Sequence, residues 1–410
     1  MRKVCQQQSR LDAILEKQAI QTLFQPVVSM RKRAVVGFEA LSRGIDPATN
    51  KIIMPCELFA AAAISSQVVE LDRLCREKAL ANFRQILDVD DQALLFLNLD
   101  ASIIDKGVVG SGHLIQAAER MGLRPSSVVI EVIESRVDDI QALKTFISTY
   151  KGYGFLIALD DIGNGYSNLD RIFHVRPDII KIDRCLVASI DQDYYKQELF
   201  KALVGLAKRI GALVVAEGVE TKAEAAVCLE FGADMMQGYY FARPKPLPEA
   251  LQESTDRKVE LVVADYMKAK VDKIKTESFK NKTYEDILTA AVEELSNTQP
   301  KYLKRKLREM AKKYISLQSF YVLDMAGIQL TDTIETPSEA DKRQHGIFQA
   351  AFKSADQSLK DYYIYIRAGL TRHITEPYMS LANGKLCVTG SAIFKDRLDN
   401  SYILCIDFNP

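Results

Sequence analysis

Long apolar runs, paired cysteines and net charge are all missing from this 410-residue sequence. No stretch approaches about eighteen uninterrupted apolar residues, which argues against a transmembrane helix, and the polar N-terminal residues lack the core of a signal peptide. The seven scattered cysteines form no Cys-x-x-Cys pair, which argues against a zinc ribbon or a disulfide framework. Lys plus Arg and Asp plus Glu both total 54, so net charge gives no sign of nucleic-acid or anionic-membrane binding. We expect a soluble, cytoplasmic protein without a membrane segment or a nucleic-acid partner.

The region up to residue 241 alternates short apolar segments with amphipathic helices, a pattern typical of α/β proteins. The predicted strands are Phe24–Ser29, Val35–Arg43, Leu94–Asp100, Val128–Glu134, Leu156–Ile162, Ile179–Asp183, Leu213–Val219 and Met235–Phe241. The predicted helices are Glu70–Leu87, Gly112–Met121, Asp138–Tyr150, Asp193–Ile210 and Lys222–Glu230. Eight strands in about 220 residues favour a (β/α)8 TIM-like barrel over an open sheet. The short link between the first two segments predicts a hairpin, and hence an antiparallel first strand.

Three prolines, Pro244, Pro246 and Pro248, interrupt helix and sheet alike and predict that the barrel domain spans residues 1–248. Residues 249–317 predict a helical linker region, whose helices alternatively belong to the next domain: Val259–Ile274, Tyr284–Leu295 and Leu303–Ile315. Residues 318–410 predict an α+β module with an antiparallel sheet. Its predicted elements are the strands Phe320–Asp324, Ile328–Thr331, Asp361–Ile366, Tyr378–Leu381, Lys385–Ser391 and Tyr402–Phe408, and the helix Lys342–Phe352.

Polar residues lie where apolar segments of the barrel region end. They are Glu39, Asn98, Glu131, Asp160, Asp161, Lys181 and Glu217. A carboxylate in a strand that is buried on both faces costs several kcal/mol unless a partner neutralises it. Because the C-terminal ends of barrel strands converge on one mouth, we expect these groups to meet there. The set therefore predicts a shared metal site.

The predicted ligands are rich in oxygen and poor in histidine. Only His113 and His174 precede residue 240, and both lie outside the predicted strands, which argues against a histidine-rich zinc or iron site. Oxygen ligands favour Mg²⁺, Mn²⁺ or Ca²⁺. The adjacent carboxylates of Asp160 and Asp161 are able to bridge two ions, as in two-metal phosphoryl-transfer sites.

The motifs around these residues resemble the EAL-domain family of cyclic di-GMP phosphodiesterases. The signature triplet is Glu39-Ala40-Leu41, followed by Ser42-Arg43. Further motifs stand in the family's order between residues 24 and 246: Phe24-Gln25-Pro26-Val27-Val28, Asn98, Glu131-Val132-Ile133-Glu134, Asp160-Asp161-Ile162-Gly163-Asn164-Gly165-Tyr166-Ser167, Lys181-Ile182-Asp183, Ala216-Glu217-Gly218-Val219-Glu220 and Gln237-Gly238-Tyr239-Tyr240-Phe241. The triplet alone is uninformative, whereas the ordered set is very specific.

The resemblance implies a role for each matched residue in opening one phosphodiester of cyclic di-GMP to give the linear dinucleotide. The implied metal ligands are Glu39, Asn98, Glu131 and Asp160 for a first ion, with Asp161 and Glu217 completing a second. Lys181 would orient or deprotonate the attacking water, and Glu217 would assist as general base. The implied contacts to the dinucleotide are Gln25, Leu41, Arg43 and Gln237, and Glu134 would brace the loop after Asp161. One or two Mg²⁺ or Mn²⁺ ions would support catalysis, whereas Ca²⁺ would bind without supporting it.

The loop after Asp161 departs from the family pattern. The family usually reads Asp-Phe-Gly-Thr/Ser-Gly-Tyr-Ser-Ser-Leu, whereas this chain has Ile162, Asn164 and Asn168, and Gly44 replaces a bulkier residue after the signature. These changes leave the metal ligands intact. The chain is therefore either a phosphodiesterase of low activity or an effector that binds cyclic di-GMP without efficient turnover. A scaffold with a vestigial site fits less well, because every ligand is retained.

The C-terminal part resembles a PAS-like or Cache-like sensor at Phe320–Asp324, Gly327–Leu330 and Glu376–Ser380, and the order of barrel and sensor resembles YkuI-type proteins. The resemblance implies regulation by a small-molecule or protein signal, and a homodimer. Simpler readings stay open for several residues. Lys181 is able to pair with Asp183 or Asp160, and Asn98 to satisfy a buried backbone group. The basic run from Lys301 to Lys313 favours a solvated helix face. His345, His373, Arg367 and Arg372 are either structural or part of a ligand pocket.

Overall fold

The computed structural model describes residues 2–100, 102–105, 112–133, 139–164, 169–252, 254–296, 298–336 and 348–410. The chain divides into two compact units, Met1–Lys270 and Val271–Pro410. Among the described residues, no helix combines the length and the apolar content that a membrane crossing requires.

The N-terminal unit is a closed barrel. Its strands are β1 Ile20–Ser29, β2 Ala34–Ile45, β3 Ile52–Ile53, β4 Leu94–Leu99, β5 Val128–Ile133, β6 Leu156–Ile162, β7 Ile179–Ile182, β8 Leu213–Ala216 and β9 Met235–Met236. Strand β2 and strands β4 to β9 are parallel to one another and lie side by side in sequence order. Strand β1 closes the barrel by pairing antiparallel with both β2 and β9. The two-residue β3 pairs antiparallel with the end of β2. The predicted TIM-like barrel with an antiparallel first strand is confirmed.

Helices surround the barrel. They are α1 Arg2–Glu16, α2 Pro55–Ile64, α3 Val68–Leu87, α4 Ser102–Asp105, α5 His113–Arg120, α6 Ile140–Gly152, α7 Leu169–Val175, α8 Arg184–Val187, α9 Tyr194–Ile210, α10 Lys222–Phe231 and α11 Glu249–Gln252. Local sequence sets several of the ends. Asp139 and Asp193 cap the N-termini of α6 and α9, and Thr221 forms a capping box with Glu224 on α10. The five predicted helices of this unit are present.

Barrel strands are apolar on both faces because each face packs against a different layer. Outward residues pack under the helices, for example Ile130 and Val132 of β5. Inward residues form a separate apolar layer inside the barrel: Val27, Phe96, Val129, Ala158, Ile179, Val215 and Met235. Gly37 of β2 makes room for this layer, because a Cβ there would lie 3.0 Å from the Phe96 ring and 2.5 Å from the Leu94 carbonyl oxygen. The packed layer fills the lower part of the barrel and leaves its mouth for other groups.

The C-terminal unit combines helices with an antiparallel sheet. Its helices are α12 Asp256–Leu295, which begins in the first unit, α13 Leu303–Lys313 and α14 Asp361–Arg367. Its strands are β10 Ser319–Leu323, β11 Ile334–Glu335, β12 Arg372–Ile374, β13 Tyr378–Met379, β14 Leu386–Lys395 and β15 Ser401–Phe408. The sheet order is β11-β10-β15-β14-β12, with β13 paired to β14. One face packs on α13 and the end of α12, and the other packs on α14.

Several predictions for the C-terminal unit were wrong. Asp361–Ile366 is a helix and not a strand, because Tyr362, Tyr363 and Ile366 share one buried helical face. The two helices predicted between Val259 and Leu295 form one 40-residue helix, since residues 275–283 contain no proline or glycine to end it. Ile328–Thr331 makes isolated bridges and no strand. The helix predicted over Lys342–Phe352 is absent from 348–352, and residues 342–347, with His345, lie outside the described residues.

The charged residues of this unit mostly have structural partners. The basic run of α13 is an exposed face opposite the buried Leu303, Leu307 and Met310, as predicted. Arg367 donates to the Tyr363 hydroxyl at 3.1 Å, and Arg372 donates to the Thr289 hydroxyl at 2.7 Å. The His373 ring stacks on Tyr365 with 3.9 Å between centroids. These contacts support a structural role for Arg367, Arg372 and His373.

Candidate active site

Polar side chains form a second layer directly above the apolar layer of the barrel. Residues two apart on a strand share a face, so each strand that contributes an inward apolar residue places its next inward residue at the mouth. The successive pairs are Phe96 and Asn98, Val129 and Glu131, Ala158 and Asp160, Ile179 and Lys181, Val215 and Glu217, and Met235 and Gln237. Glu39 follows Gly37 on β2 in the same way. The barrel geometry thus collects most of the predicted site in one layer.

The Lys181 ammonium lies at the centre of this layer. Its Nζ is 2.5 Å from Glu131 Oε1 and 2.6 Å from Glu217 Oε1. It also lies 3.5 Å from Asp160 Oδ1 and 3.7 Å from Glu39 Oε2. Lys181 is 1% exposed and Glu131 is fully buried, so water screens these pairs poorly. The reading of Lys181 as a partner of Asp183 is wrong, because the Asp183 carboxylate instead caps α8 through the Cys185 amide.

Amide side chains hold Glu39 in place. Asn98 Nδ2 donates to Glu39 Oε1 at 2.8 Å, and Gln237 Nε2 donates to Glu39 Oε2 at 2.6 Å. Gln237 Nε2 also donates to Gln25 Oε1 at 3.1 Å, and Gln25 Nε2 donates to the Ala242 carbonyl at 3.0 Å. The amide of Asn98 therefore serves a carboxylate, and the alternative that it satisfies a backbone group is wrong. The chain of amides orients a buried carboxylate towards the mouth.

The cluster shifts the pKa values of its members in opposite directions. Burial raises the pKa of Glu131 well above its usual value, with neighbouring carboxylates adding to the rise and Lys181 opposing it. Burial and the charge of Asp160 likewise raise the pKa of Glu217. Burial alone would lower the pKa of Lys181, but the surrounding carboxylates outweigh it and raise that pKa well above the usual value. Burial opposes ionisation of Glu39, yet Lys181, Gln237 and Asn98 lower the pKa of Glu39. One ammonium thus faces more carboxylate charge than it neutralises.

The residues at the mouth fit divalent cations. Oxygen atoms of Asp160, Asp161 and Glu217 all lie within 4.8 Å of one another. Oε2 of Glu131 is buried and accepts no hydrogen bond from a described residue. Buried carboxylate oxygens without donors are what a hard cation with oxygen ligands would satisfy. The donor set thus suits Mg²⁺, Mn²⁺ or Ca²⁺.

Two cavities flank the carboxylates and share Glu39, Asp160 and Asp161. The larger has a volume of about 840 Å³ and is lined by Leu41 and Asn98, by residues of α2, and by one face of α3. The smaller has a volume of about 410 Å³ and is lined by Gln25, Lys181, Glu217 and Gln237. The carboxylate cluster lies where the two cavities meet, so a ligand with two halves is able to occupy both.

Most of the predicted site residues that the structure describes gather here, but Arg43 does not. Arg43 lines neither cavity, and its Nη1 donates to the Ser42 carbonyl at 2.8 Å. Glu134 and residues 165–168 of the predicted loop lie outside the described residues. The described start of that loop has an unusual backbone, because Asp161 has φ 58° and Gly163 has φ 105°. The backbone of Asp161, which carries one of the clustered carboxylates, therefore has a left-handed conformation that non-glycine residues seldom adopt.

Several cavity residues were not predicted from the sequence. Asp72, Arg76 and Asp100 line the larger cavity, and Arg184, Glu220 and Tyr239 line the smaller one. A signal for Asp72 and Arg76 was available. They are four residues apart on the face of α3 that also carries Leu71, Cys75 and Phe83, so the helical period already predicts two buried charges. Buried charges need partners and frequently mark functional sites.

The fold and the site together define a TIM barrel with a carboxylate and lysine cluster suited to metal-dependent chemistry. Residues 7–244, more than half of the chain, match the EAL domain model, and the chain belongs to the EAL domain family. It is 30% identical over 239 residues to the EAL-domain protein YkuI of Bacillus subtilis, covering 57% of this chain and 57% of that protein. It is 28% identical over 240 residues to the bifunctional diguanylate cyclase/cyclic di-GMP phosphodiesterase MucR of Pseudomonas aeruginosa, covering 58% of this chain and 35% of that protein. The match spans less than two thirds of the length of either relative.

Solved structures show the same fold. The structure of YkuI with c-di-GMP and calcium matches with a TM-score of 0.79 at 24% identity, over 98% of this chain and 99% of that one. The PaMucR phosphodiesterase in complex with c-di-GMP matches with a TM-score of 0.55 at 26% identity, over 60% of this chain and 99% of that one. Klebsiella pneumoniae BlrP1, solved with c-di-GMP and either calcium or manganese, matches with a TM-score of 0.50 at 32% identity, over 55% of this chain and 56% of that one. The likeness to YkuI extends over the C-terminal unit.

Proposed function

We propose that this chain hydrolyses one phosphodiester of cyclic di-GMP, with the aid of divalent cations, to give the linear dinucleotide. The observation that carries the proposal is the buried Lys181 ammonium, which lies within 3.7 Å of four carboxylates at the junction of two cavities. Family membership and the c-di-GMP complexes of PaMucR and BlrP1 support the choice of substrate.

The carboxylates would hold the ions. Glu39, Asn98, Glu131 and Asp160 would ligate a first ion, and Asp161 and Glu217 would complete a second, which agrees with the proximity of the oxygens of Asp160, Asp161 and Glu217. When bound, such ions lower the pKa of a coordinated water and offset the negative charge of the phosphodiester. Mg²⁺ and Mn²⁺ are the proposed catalytic ions, with Ca²⁺ binding but not supporting turnover; calcium and manganese both accompany c-di-GMP in BlrP1.

Lys181 and Glu217 would act on the attacking water. Because the pKa of Lys181 is raised, its side chain is an ammonium that donates hydrogen bonds, which favours orienting the water over deprotonating it. Glu217 Oε1 is 2.6 Å from the ammonium and would accept the proton of the water as general base. Attack at phosphorus then breaks the bond to the ribose 3′ oxygen, which takes up a proton from solvent as a hydroxyl, and the ring opens.

The two cavities would receive the two halves of the dinucleotide, with the phosphodiester at the carboxylates between them. Leu41 lines the larger cavity, and Gln25 and Gln237 line the smaller. Arg43 would contact a phosphate after its guanidinium leaves the Ser42 carbonyl, since its fork suits bidentate phosphate binding. Glu134 is proposed to brace the loop after Asp161.

Chromatography of the products tests the enzymatic proposal. Purified protein with cyclic di-GMP and Mn²⁺ is expected to form the linear dinucleotide, and Glu39→Ala is expected to abolish its formation. Glu119→Ala, which changes an exposed carboxylate on α5, is the matched control and is expected to keep wild-type turnover. Absence of linear product from the wild type across Mg²⁺ and Mn²⁺ concentrations would sink the proposal.

A binding effector is the second candidate, and the unusual loop after Asp161 favours it. Restoring the family residues with Ile162→Phe, Asn164→Thr and Asn168→Ser together separates the candidates, because a large gain in rate would show that the loop limits catalysis. Ile162 is 1% exposed, so the larger ring needs repacking, and unfolding of the variant is measured alongside its rate. Calorimetry that detects no cyclic di-GMP binding in Ca²⁺ would eliminate the effector.

We also propose that the chain works in the cytoplasm as a homodimer and that the C-terminal unit relays a small-molecule or protein signal to the barrel. The proposal for the C-terminal unit is supported by its PAS-like or Cache-like sequence pattern and by the likeness of its fold to YkuI. Sedimentation velocity at the protein concentrations used for turnover tests the dimer. A single monomeric species at those concentrations would contradict it.

A further inference from the structure

The middle of α12 is exposed on every side. All thirteen residues from 271 to 283 are exposed, although buried Val259 and Val262 hold the start of the helix and buried Leu288 and Leu295 hold its end. A surface helix of a folded protein normally packs one apolar face on a core. The side chains that this stretch presents to solvent therefore show which kind of partner would fit it.

One face of α12 carries a seam of small and apolar residues at coiled-coil spacing. Met267, Val271 and Ile274 are four and three residues apart, and they are 53%, 42% and 53% exposed. Exposed Ala264 precedes them by three residues and exposed Ser278 follows them by four, so five successive positions share one side of the helix. A seam this narrow is typical of helix pairing, whereas a helix that lies in a lipid surface has a larger apolar face.

A row of lysines borders this seam on one side. Lys268, Lys275 and Lys282 are exposed and seven residues apart, so they lie above one another along the helix. Lys275 approaches the exposed carboxylate of Asp272 only to 3.9 Å. Charged residues beside a coiled-coil seam select the partner, because they face the flanking residues of the other helix. The lysine row therefore calls for carboxylates at the facing positions.

A second copy of α12 meets this requirement poorly. In an antiparallel pair that sets Val271 against Ile274, Lys268 of one copy would face Lys275 of the other. In a parallel pair, Lys270 of one copy would face Lys275 of the other. Like charges at such positions are unfavourable, and Glu277 offsets only one of these contacts in either orientation. The charge pattern favours a different, acidic helix.

We infer that the seam of α12 and its lysine row bind an acidic amphipathic helix of another protein. Apolar residues of that helix would cover Met267, Val271 and Ile274 and remove their apolar surface from water, and its carboxylates would face the lysine row. The inference is independent of the proposed hydrolysis, because no residue of this surface lines either cavity at the barrel mouth.

Two fluorescently labelled peptides test the inference on the full chain. Each has four heptads with Ile at a and Leu at d; one carries Glu at both e and g, and the other carries Lys there. Fluorescence anisotropy is expected to show that the acidic peptide binds and that the basic peptide does not. Reversing the row with Lys268→Glu, Lys275→Glu and Lys282→Glu together should weaken binding of the acidic peptide on the order of 10- to 100-fold and allow the basic peptide to bind.

Exposed lysines elsewhere in the chain supply the matched control. Lys32→Glu, Lys51→Glu and Lys353→Glu together change the net charge by the same amount and are expected to leave binding of both peptides as in the wild type. All six lysines are exposed, so circular dichroism is expected to show wild-type helix content in both triple variants.

Exchange of peptide preference on reversing the lysine row supports the inference. Equal binding of the two peptides to the wild type, binding of neither, or an equal effect of the two triple variants overturns it. If neither peptide binds and Val271→Ser with Ile274→Ser dissociates a dimer in sedimentation velocity, a second copy covers the seam instead. If neither peptide binds and the chain sediments with phosphatidylglycerol vesicles only while the lysine row is intact, the partner is a lipid surface and the inference is wrong.

Discussion

At the scale of single residues, charge balance is the dominant feature of the site. Lys181 is surrounded by Glu39, Glu131, Asp160 and Glu217, and all of these side chains are largely shielded from solvent. A buried carboxylate is tolerated only when it is paired or protonated, and the single Lys181 ammonium balances only one of the four carboxylate charges around it. A second source of positive charge is therefore expected at this mouth, which is the physical argument for divalent ions.

Removing the ammonium tests this balance. In Lys181→Met the carboxylates lose their internal partner. The free energy of unfolding of the metal-free variant is therefore expected to be about 3–5 kcal/mol lower than that of the wild type. Ca²⁺ is expected to restore part of that loss, because the ion supplies the missing charge. Calorimetric unfolding with and without Ca²⁺ measures both effects, and Lys51→Met at an exposed position is the control. If Ca²⁺ stabilises the wild type and the variant equally, the ion does not replace the charge of Lys181 and the prediction is wrong.

A second buried carboxylate lies in the sheet of the C-terminal unit. Asp407 of β15 is 5% exposed and accepts the hydroxyls of Ser319 and Thr389, its neighbours on the flanking strands, at 2.6 Å each. Burial nevertheless raises its pKa, against the opposing effect of these hydrogen bonds. The folded chain therefore holds the Asp407 proton at pH values where the unfolded chain has released it.

The pH dependence of stability follows from that shift. Because the folded state binds more protons, Asp407 contributes most to the free energy of unfolding at low pH. This contribution declines as the pH rises above about 4 towards the raised pKa of the folded state. In Asp407→Asn, which keeps the shape, this decline is expected to disappear. Calorimetry from acid to neutral pH should show the wild type losing stability relative to the variant. A difference that is flat, or that favours the wild type more at higher pH, contradicts the prediction.

At the scale of elements, α8 connects two segments that carry candidate metal ligands. The Cys185 thiol donates to the Gly163 carbonyl at 3.1 Å, and the Asp183 amide donates to the Ile162 carbonyl at 3.0 Å. A Cβ on Gly218, next to Glu217, would lie 2.5 Å from the Arg184 side chain. Burial, together with nearby Asp183, raises the pKa of Cys185 to about 11, so the thiol keeps its proton at neutral pH. The short helix therefore holds the strained start of the Asp161 loop.

Loss of that thiol is expected to loosen the loop. Cys185→Ala removes the donor to Gly163 and should raise the Mn²⁺ concentration for half-maximal binding by roughly threefold to tenfold, the range set by one modest hydrogen bond. Cys185→Ser retains a donor and should lie closer to the wild type. Manganese binding followed by electron paramagnetic resonance measures this without turnover. If alanine and serine behave alike, the hydrogen bond has no positioning role.

The elements also show where sequence reasoning succeeds. Strands such as β5 were predictable because both faces are buried and five of the six residues are β-branched. The strand-end polar residues were predictable because a barrel places them in one layer. Asp361–Ile366 was mispredicted, because an apolar run of that length fits a strand and a helix alike, and tertiary packing on the sheet decided for α14.

The remaining part of the site depends on side chains brought in from other elements. The helical period of α3 predicts that Arg76 is buried, but not that it lines the larger cavity, which depends on how α3 packs on the barrel. The position of Arg43 against the Ser42 carbonyl depends on a side-chain torsion, which strand periodicity does not specify. Sequence thus predicts the layer of strand-end polar residues and misses other side chains that line the cavities.

At the scale of the whole molecule, charge is balanced overall and unbalanced locally. Lys plus Arg equals Asp plus Glu over the 410 residues, yet the smaller cavity is lined by Glu39, Asp160, Asp161, Asp183, Glu217 and Glu220 against Lys181 and Arg184. An anionic dinucleotide would be repelled from such a surface unless cations bind first. Nucleotide binding should therefore be lost in excess EDTA and recovered on adding divalent ions.

Hydrolysis in ¹⁸O-labelled water tests the central claim most directly. With Mn²⁺ and cyclic di-GMP, the account predicts a linear dinucleotide whose new terminal phosphate carries one ¹⁸O, detected by mass spectrometry, and no such product with Ca²⁺. The label would come from the attacking water, on which Lys181 and Glu217 are proposed to act. Intact cyclic di-GMP after prolonged incubation with Mg²⁺ or Mn²⁺, under conditions where the nucleotide is bound, would contradict the account and leave a binding effector.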